Sequence, residues 1–151
     1  MISALVVAAV AYGVVRTMGS KPKKQELDRS PTLEQLDRSI DDVAATLNGA
    51  LRARDRVRAG QASAPQARAE LDSLRQDLER VAAEVERTQT EPSLVQAYER
   101  VSRFAANAAR QVGALASDAP ADSLERTEAR LRAMLTAAGR LRATVAPRPG
   151  V

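Results

Sequence analysis

The feature that most constrains the fold is the spacing of apolar residues after Pro31. From that point the apolar side chains recur at alternating intervals of three and four residues, the heptad pattern of helices packed at shallow angles. No segment has the alternating pattern of a strand. Breaks rich in Gly, Pro and Ser divide the pattern into four predicted helices, at about 31–59, 64–90, 94–116 and 123–146.

The breaks are short and contain residues that begin or end helices. Gly60 is placed to end the first helix. Three predicted capping boxes begin helices, at Thr32 with Gln35, Ser63 with Gln66, and Asp122 with Glu125, and Ser93 is a predicted N-cap. Short connections make successive helices antiparallel neighbours, so an all-α antiparallel four-helix bundle is predicted over residues 31–146.

A second arrangement remains open at this stage. Pro92 disfavours helix at the residue before it, and two successive helical hairpins hinged there would also satisfy the pattern. Arg54 and Thr127 interrupt the apolar stripes of the first and fourth helices. Charged pairs four residues apart, such as Glu128 with Arg132, are expected on solvated faces.

The first 15 residues contain no charge and only one clearly polar side chain, Ser3. Counted to Met18, a helix would be about 27 Å long against a hydrocarbon core of about 30 Å. Residues 1–18 are therefore predicted to be a transmembrane helix, 19–30 a basic juxtamembrane linker and 147–151 a flexible tail. A buried helix within a larger assembly and a cleaved signal peptide are the alternatives for the first segment. Small residues on the predicted span give candidate sites for packing against other transmembrane helices: Ala4, Ala8, Ala9 and Gly13.

The net charge of +4 arises from a short segment after this apolar stretch. Its members are candidates for setting topology or for contacting anionic membrane lipid: Arg16, Lys21, Lys23 and Lys24. By the positive-inside rule the N-terminus lies outside and the bundle in the cytoplasm, which predicts a single-pass protein of the cell inner membrane. Because the excess charge is local, no nucleic-acid partner is expected.

The chain has no histidine, cysteine or tryptophan, which excludes catalytic triads built on imidazole or thiolate and zinc sites with Cys or His ligands. It also lacks phosphate-binding glycine loops and calcium-binding loops. We therefore expect a noncatalytic protein with no catalytic residues, no cofactor, no metal and no small-molecule substrate.

One cluster outside the N-terminal region is a candidate for partner contact. Five arginines lie around the first predicted turn: Arg52, Arg54, Arg56, Arg58 and Arg68. The preferred hypothesis is a noncatalytic accessory or structural subunit of a larger membrane complex. Its transmembrane helix would dock on partner helices, and its bundle would brace or cap the cytoplasmic side. The alternative is a membrane-anchored tether or scaffold that recruits a soluble partner through the bundle or these arginines. A third hypothesis, an enzyme or ligand carrier, would require buried carboxylates or a bundle cavity. The arginine-rich, lysine-poor composition suggests a bacterial or phage source.

Overall fold

A computed structural model describes residues 31–145, and within this range the chain forms four α-helices and no strand. The predicted all-helical class is confirmed for these residues. The helices are α1 (Pro31–Arg58), α2 (Ala64–Arg87), α3 (Val95–Ala116) and α4 (Ala121–Val145).

The turn between α1 and α2 forms as the sequence predicts. Gly60 has a φ of +70°, in the left-handed region where a residue without a Cβ carries little strain. The capping box that begins α2 is present, because the Ser63 hydroxyl accepts from the Gln66 amide and the Gln66 side chain accepts from the Ser63 amide. The end of α1 and the start of α2 are therefore both determined by residues within this connection and its immediate neighbours.

Other helix ends differ from the sequence expectation. Thr88 has an extended backbone, so α2 ends at Arg87, three residues earlier than the heptad spacing indicates. α4 begins at Ala121, because the Pro120 carbonyl accepts the amides of both Ser123 and Leu124. The N-cap of α3 is Leu94, which makes no side-chain capping bond, and so the predicted cap at Ser93 is wrong.

One large apolar cluster draws on all four helices. Its fully buried members include Val43 and Leu47 of α1, Leu78 of α2, Val112 of α3 and Leu131 of α4. A smaller cluster, with Leu36, Ile40, Val85, Tyr98, Val101 and Ala138, continues the core toward the end where α1 begins. The chain is thus a helical bundle with a continuous interior.

The most extensive helix–helix contact is between α2 and α3, which the predicted hinge at Pro92 would have separated. Ala105 and Ala109 are buried on α3, and their small side chains allow the two helices to approach closely. α1 contacts each of the other three helices, whereas α2 and α4 do not contact each other. The structure therefore does not contain the two separate hairpins of the alternative prediction.

The bundle has two ends, which we name by the connections that they contain. We call the end with residues 59–63 and 117–120 the tip, because both connections carry charged or polar residues. We call the opposite end the base, where α1 begins, residues 88–94 join α2 to α3, and α4 ends.

No helix within residues 31–145 combines the length and the apolar character needed to cross a membrane. This finding contradicts the predicted localisation as a single-pass inner-membrane protein, and that localisation is not retained. The predictions for residues 1–18 and 19–30 and for the tail at 147–151 lie outside the described residues, as do the packing and lipid contacts assigned there.

Candidate functional site

The most unusual side chain of the interior is Glu128 of α4, which is 1% exposed. Two arginines from the last turns of α1 form ion pairs with its carboxylate. Arg54 Nε lies 3.3 Å from Oε1, and Arg58 Nη2 lies 2.8 Å from Oε2. Arg132, one turn further along α4, lies 3.9 Å from Oε2. Because a buried carboxylate is costly without compensating charge, these contacts fix α4 against the end of α1.

The expectation that Glu128 lies on a solvated face is wrong. It follows Leu124 by four residues and precedes Leu131 by three, the same spacing that marks the apolar positions. Arg54 follows Ala50 by four residues and likewise falls on the inward stripe of α1. Two opposite charges at inward positions of different helices are the signal that could have identified this pair.

Most of the arginines predicted for partner contact are engaged within the tip. Besides Arg54 and Arg58, Arg56 pairs with Glu70 of α2, and Arg68 pairs with Asp118 of the α3–α4 connection. Arg52 has no ion pair within residues 31–145, and its Nε donates to the Asn48 carbonyl at 3.4 Å. The structure thus brings these five arginines to one end of the bundle and places four of them on carboxylates.

A second group of arginines lies along α3 and α4, outside the predicted cluster. It is exposed, and we call it the arginine face: Arg100, Arg103 and Arg110 of α3 with Arg126, Arg130 and Arg140 of α4. Within each helix, the spacing of these residues keeps them on one side. Arg103 pairs with Glu99 at 3.5 Å, but the other five make no ion pair within residues 31–145.

The packing of α3 shows where its arginines lie. The Ser102 hydroxyl donates to the Ala82 carbonyl at 3.2 Å, so this flank of α3 faces α2. Arg75 of α2 also lies beside Gly113, on the same flank. Arg100 is about a half turn of the helix away from Ser102 and therefore lies on the side toward α4.

The contacts of α4 show in the same way on which side of this helix its arginines lie. Arg142 pairs with Asp41 of α1 at 2.8 Å, and Glu128 also contacts α1, so this flank faces α1. Arg126 and Arg130 lie on the opposite flank, beside α3. Arg100, Arg126 and Arg130 therefore border the α3–α4 seam, whereas Arg103 lines a groove between α3 and α2.

The charge is divided between the two halves of the bundle. Helices α3 and α4 together contain eight arginines and four carboxylates, whereas α1 and α2 contain nine arginines and eleven carboxylates. The balanced total of the chain after Lys24 therefore conceals a basic side and an acidic side. Adding up the charges along the sequence could not reveal this division, because it depends on which helices lie next to each other in the bundle.

An open groove of about 490 Å³ lies between α2 and α3 at the base. Val95 is 41% exposed beside it, and Tyr98 lines it. The Tyr98 hydroxyl donates to the Thr32 carbonyl at 2.7 Å, and burial raises the pKa of this phenol. Tyr98 is thus a structural residue that ties α3 to the first turn of α1.

Within residues 31–145, no group of three or more acidic side chains is arranged to hold a metal ion. The arginine face is the candidate site because its arginines are exposed and five of them make no ion pair within residues 31–145. Comparisons with protein families, with curated proteins and with solved structures found no match to this chain.

Proposed function

We propose that this chain is a noncatalytic scaffold subunit that joins a larger protein assembly by docking its arginine face on an acidic surface of a protein partner. The observation that carries the proposal is the set of five exposed arginines without ion pairs on the outer sides of α3 and α4. Exposed charges of one sign favour encounter with a surface of opposite charge and determine which partner is accepted.

The polar groups of the interior support the noncatalytic part of the proposal. The Glu128 carboxylate is held by Arg54 and Arg58, and the neighbouring Thr127 hydroxyl donates to the Ser123 carbonyl at 2.9 Å. General acid–base catalysis requires a group that is free to exchange a proton with a substrate. Glu128 instead holds α4 against α1, and the Thr127 hydroxyl is bonded within its own helix.

The arginine face is favoured over the tip because of what each arginine already contacts. At the tip, a partner carboxylate would have to compete with Glu70, Asp118 or Glu128 for the guanidinium groups. On the arginine face, Arg110, Arg126 and Arg130 would gain a charge partner without losing one. The net gain in electrostatic free energy is therefore larger on the face.

The test is affinity purification of the full tagged chain, with quantitative mass spectrometry of the proteins that accompany it. The face variant carries Arg110→Glu, Arg126→Glu and Arg130→Glu. The matched control reverses the same number of charges at the tip, with Arg52→Glu, Arg56→Glu and Arg68→Glu. At about 1 kcal/mol for each reversed charge, the face variant should lose affinity by about a hundredfold.

The proposal predicts that a defined set of proteins accompanies the wild type and the tip variant but not the face variant. Circular dichroism must show that both variants keep their helical content. Loss of the same proteins from the tip variant alone would overturn the assignment to the face and favour the tip as the docking site.

A further inference from the structure

The α1–α2 side of the bundle contains an acidic groove that complements the arginine face in position and charge. The groove has a volume of about 430 Å³ and includes three carboxylates, from Glu34 and Asp42 of α1 and Glu84 of α2. None of these makes an ion pair within residues 31–145. Arg38 also lines the groove, so its side chains leave an excess of negative charge.

The acidic groove and the arginine face lie on opposite sides of the same molecule. Gln35 of α1 hydrogen-bonds Thr88 of α2, and Gly49 of α1 lies beside Leu74 of α2, which locates the seam that the groove follows. The arginine face covers the outer sides of α3 and α4 and includes the seam between them. Because α2 and α4 do not contact each other, these two seams are on opposite edges of the bundle.

The two surfaces also agree in their level along the bundle. Glu34, Asp42 and Glu84 lie in the base half of the bundle, as do Arg100, Arg103 and Arg140. Glu34 and Asp42 lie about 5 and 17 Å along α1 from its first residue at the base, and Arg100 and Arg103 lie about 8 and 12 Å along α3 from its first residue, at about 1.5 Å per residue. Two copies placed side by side in the same orientation would bring these rows of opposite charge together.

We propose that the arginine face binds the acidic α1–α2 groove of a second copy of this chain. This inference rests on the docking surface of the proposed function and names one partner for it. Since each copy presents one surface of each kind on opposite edges, the interface is heterologous and a bound copy leaves both outer surfaces free. Further copies can therefore add at either end of a dimer, so that association forms a row of molecules.

The experiment measures the molar mass of the full chain by light scattering at increasing protein concentration. The wild type should grow beyond a dimer at about 0.05 M salt, and its association constant should fall at least about tenfold at about 0.5 M salt, because salt screens exposed charges. Association through apolar surface would be unchanged or strengthened by the added salt, and that result would overturn the proposal.

Two neutralised variants locate the interface. The first removes the basic row with Arg100→Gln, Arg103→Gln and Arg140→Gln, and the second removes the acidic row with Glu34→Gln, Asp42→Asn and Glu84→Gln. Each variant alone should be monomeric. An equal mixture should form a one-to-one complex that does not grow, because only one matched pair of surfaces remains.

A third variant is the matched control, with Arg52→Gln, Arg68→Gln and Arg132→Gln. It should associate as the wild type does. Wild-type chain that stays monomeric at low salt, or a mixture of the first two variants that stays monomeric, would overturn the proposal. Either result would leave the proposed function intact if other proteins still accompany the chain through the arginine face, so the two failures are distinguishable.

Discussion

Replacement of Arg54 and Arg58 by methionine tests whether the Glu128 ion pairs hold α4 in the bundle. The Glu128 side chain is 2% exposed, and the change removes its contacts at 3.3 and 2.8 Å while leaving Arg132 at 3.9 Å. Removing the partner of a buried charge costs about 3–5 kcal/mol. Because Arg54 and Arg58 are 20% and 45% exposed, water already screens part of the interaction, and we expect a loss of about 3 kcal/mol.

The assay is equilibrium unfolding in urea, with the free energy of unfolding obtained by linear extrapolation. A domain of this size has a stability of about 5–15 kcal/mol, so the double variant should remain folded. Adding Glu128→Leu to it removes the uncompensated charge and should recover about 2 kcal/mol. Arg87→Met is the control for the loss of an exposed arginine, because Arg87 makes no ion pair within residues 31–145, and it should change stability by less than about 0.5 kcal/mol.

A triple variant that is no more stable than the double variant would refute this reasoning. The loss of stability would then come from the missing contacts of the apolar parts of the arginine side chains. It would not come from the cost of burying a carboxylate without a charge partner. The comparison is informative because methionine and arginine have similar helix propensities, so the helix itself contributes little to the difference.

Three further predictions concern local structure and can be measured by urea unfolding. Gly139→Ala should stabilise the chain by about 1 kcal/mol, because this helical position has open space around it, whereas Gly60→Ala should destabilise by about 1 kcal/mol because of its φ of +70°. A destabilising Gly139→Ala together with a stabilising Gly60→Ala would contradict both expectations. Ser63→Ala should cost about 1 kcal/mol through loss of the α2 cap, and no change in unfolding free energy would exclude a role for the capping box. Tyr98→Phe should cost about 1 kcal/mol at neutral pH. Burial raises the pKa of Tyr98 above its ordinary value of 10.0, so the advantage of the wild type is complete below about pH 10 and is lost as the pH rises through the raised pKa. An advantage that grows with pH would contradict this assignment.

The heptad spacing predicted the helices and most of the buried side chains. Leu36, Leu47, Leu78 and Val112 are all fully buried, as their place on the apolar stripes requires. The turn at Gly60 was equally predictable, because its chemistry is contained in a few adjacent residues. Periodicity and local capping are properties of one segment, and a single sequence reports them directly.

The candidate site was not predictable in the same way. The role of Glu128 depends on arginines 74 and 70 positions earlier in the chain, and the arginine face depends on α3 and α4 being neighbours. The five arginines of the tip formed the more visible cluster in the sequence because they are close together along the chain. Their carboxylate partners come from other elements, so only the tertiary structure distinguishes engaged arginines from available ones.

The most direct test of the docking surface is site-specific photo-crosslinking in living cells. A photoreactive amino acid replaces Ala133, an exposed residue in the α4 row of the arginine face, and in separate strains it replaces Ala59 at the tip or Ala69 on the outer side of α2. Docking through the arginine face predicts crosslinks from Ala133 to a partner protein or to a second copy of the chain, and few from Ala59 or Ala69. Crosslinks concentrated at Ala59 or Ala69, with none at Ala133, would contradict it.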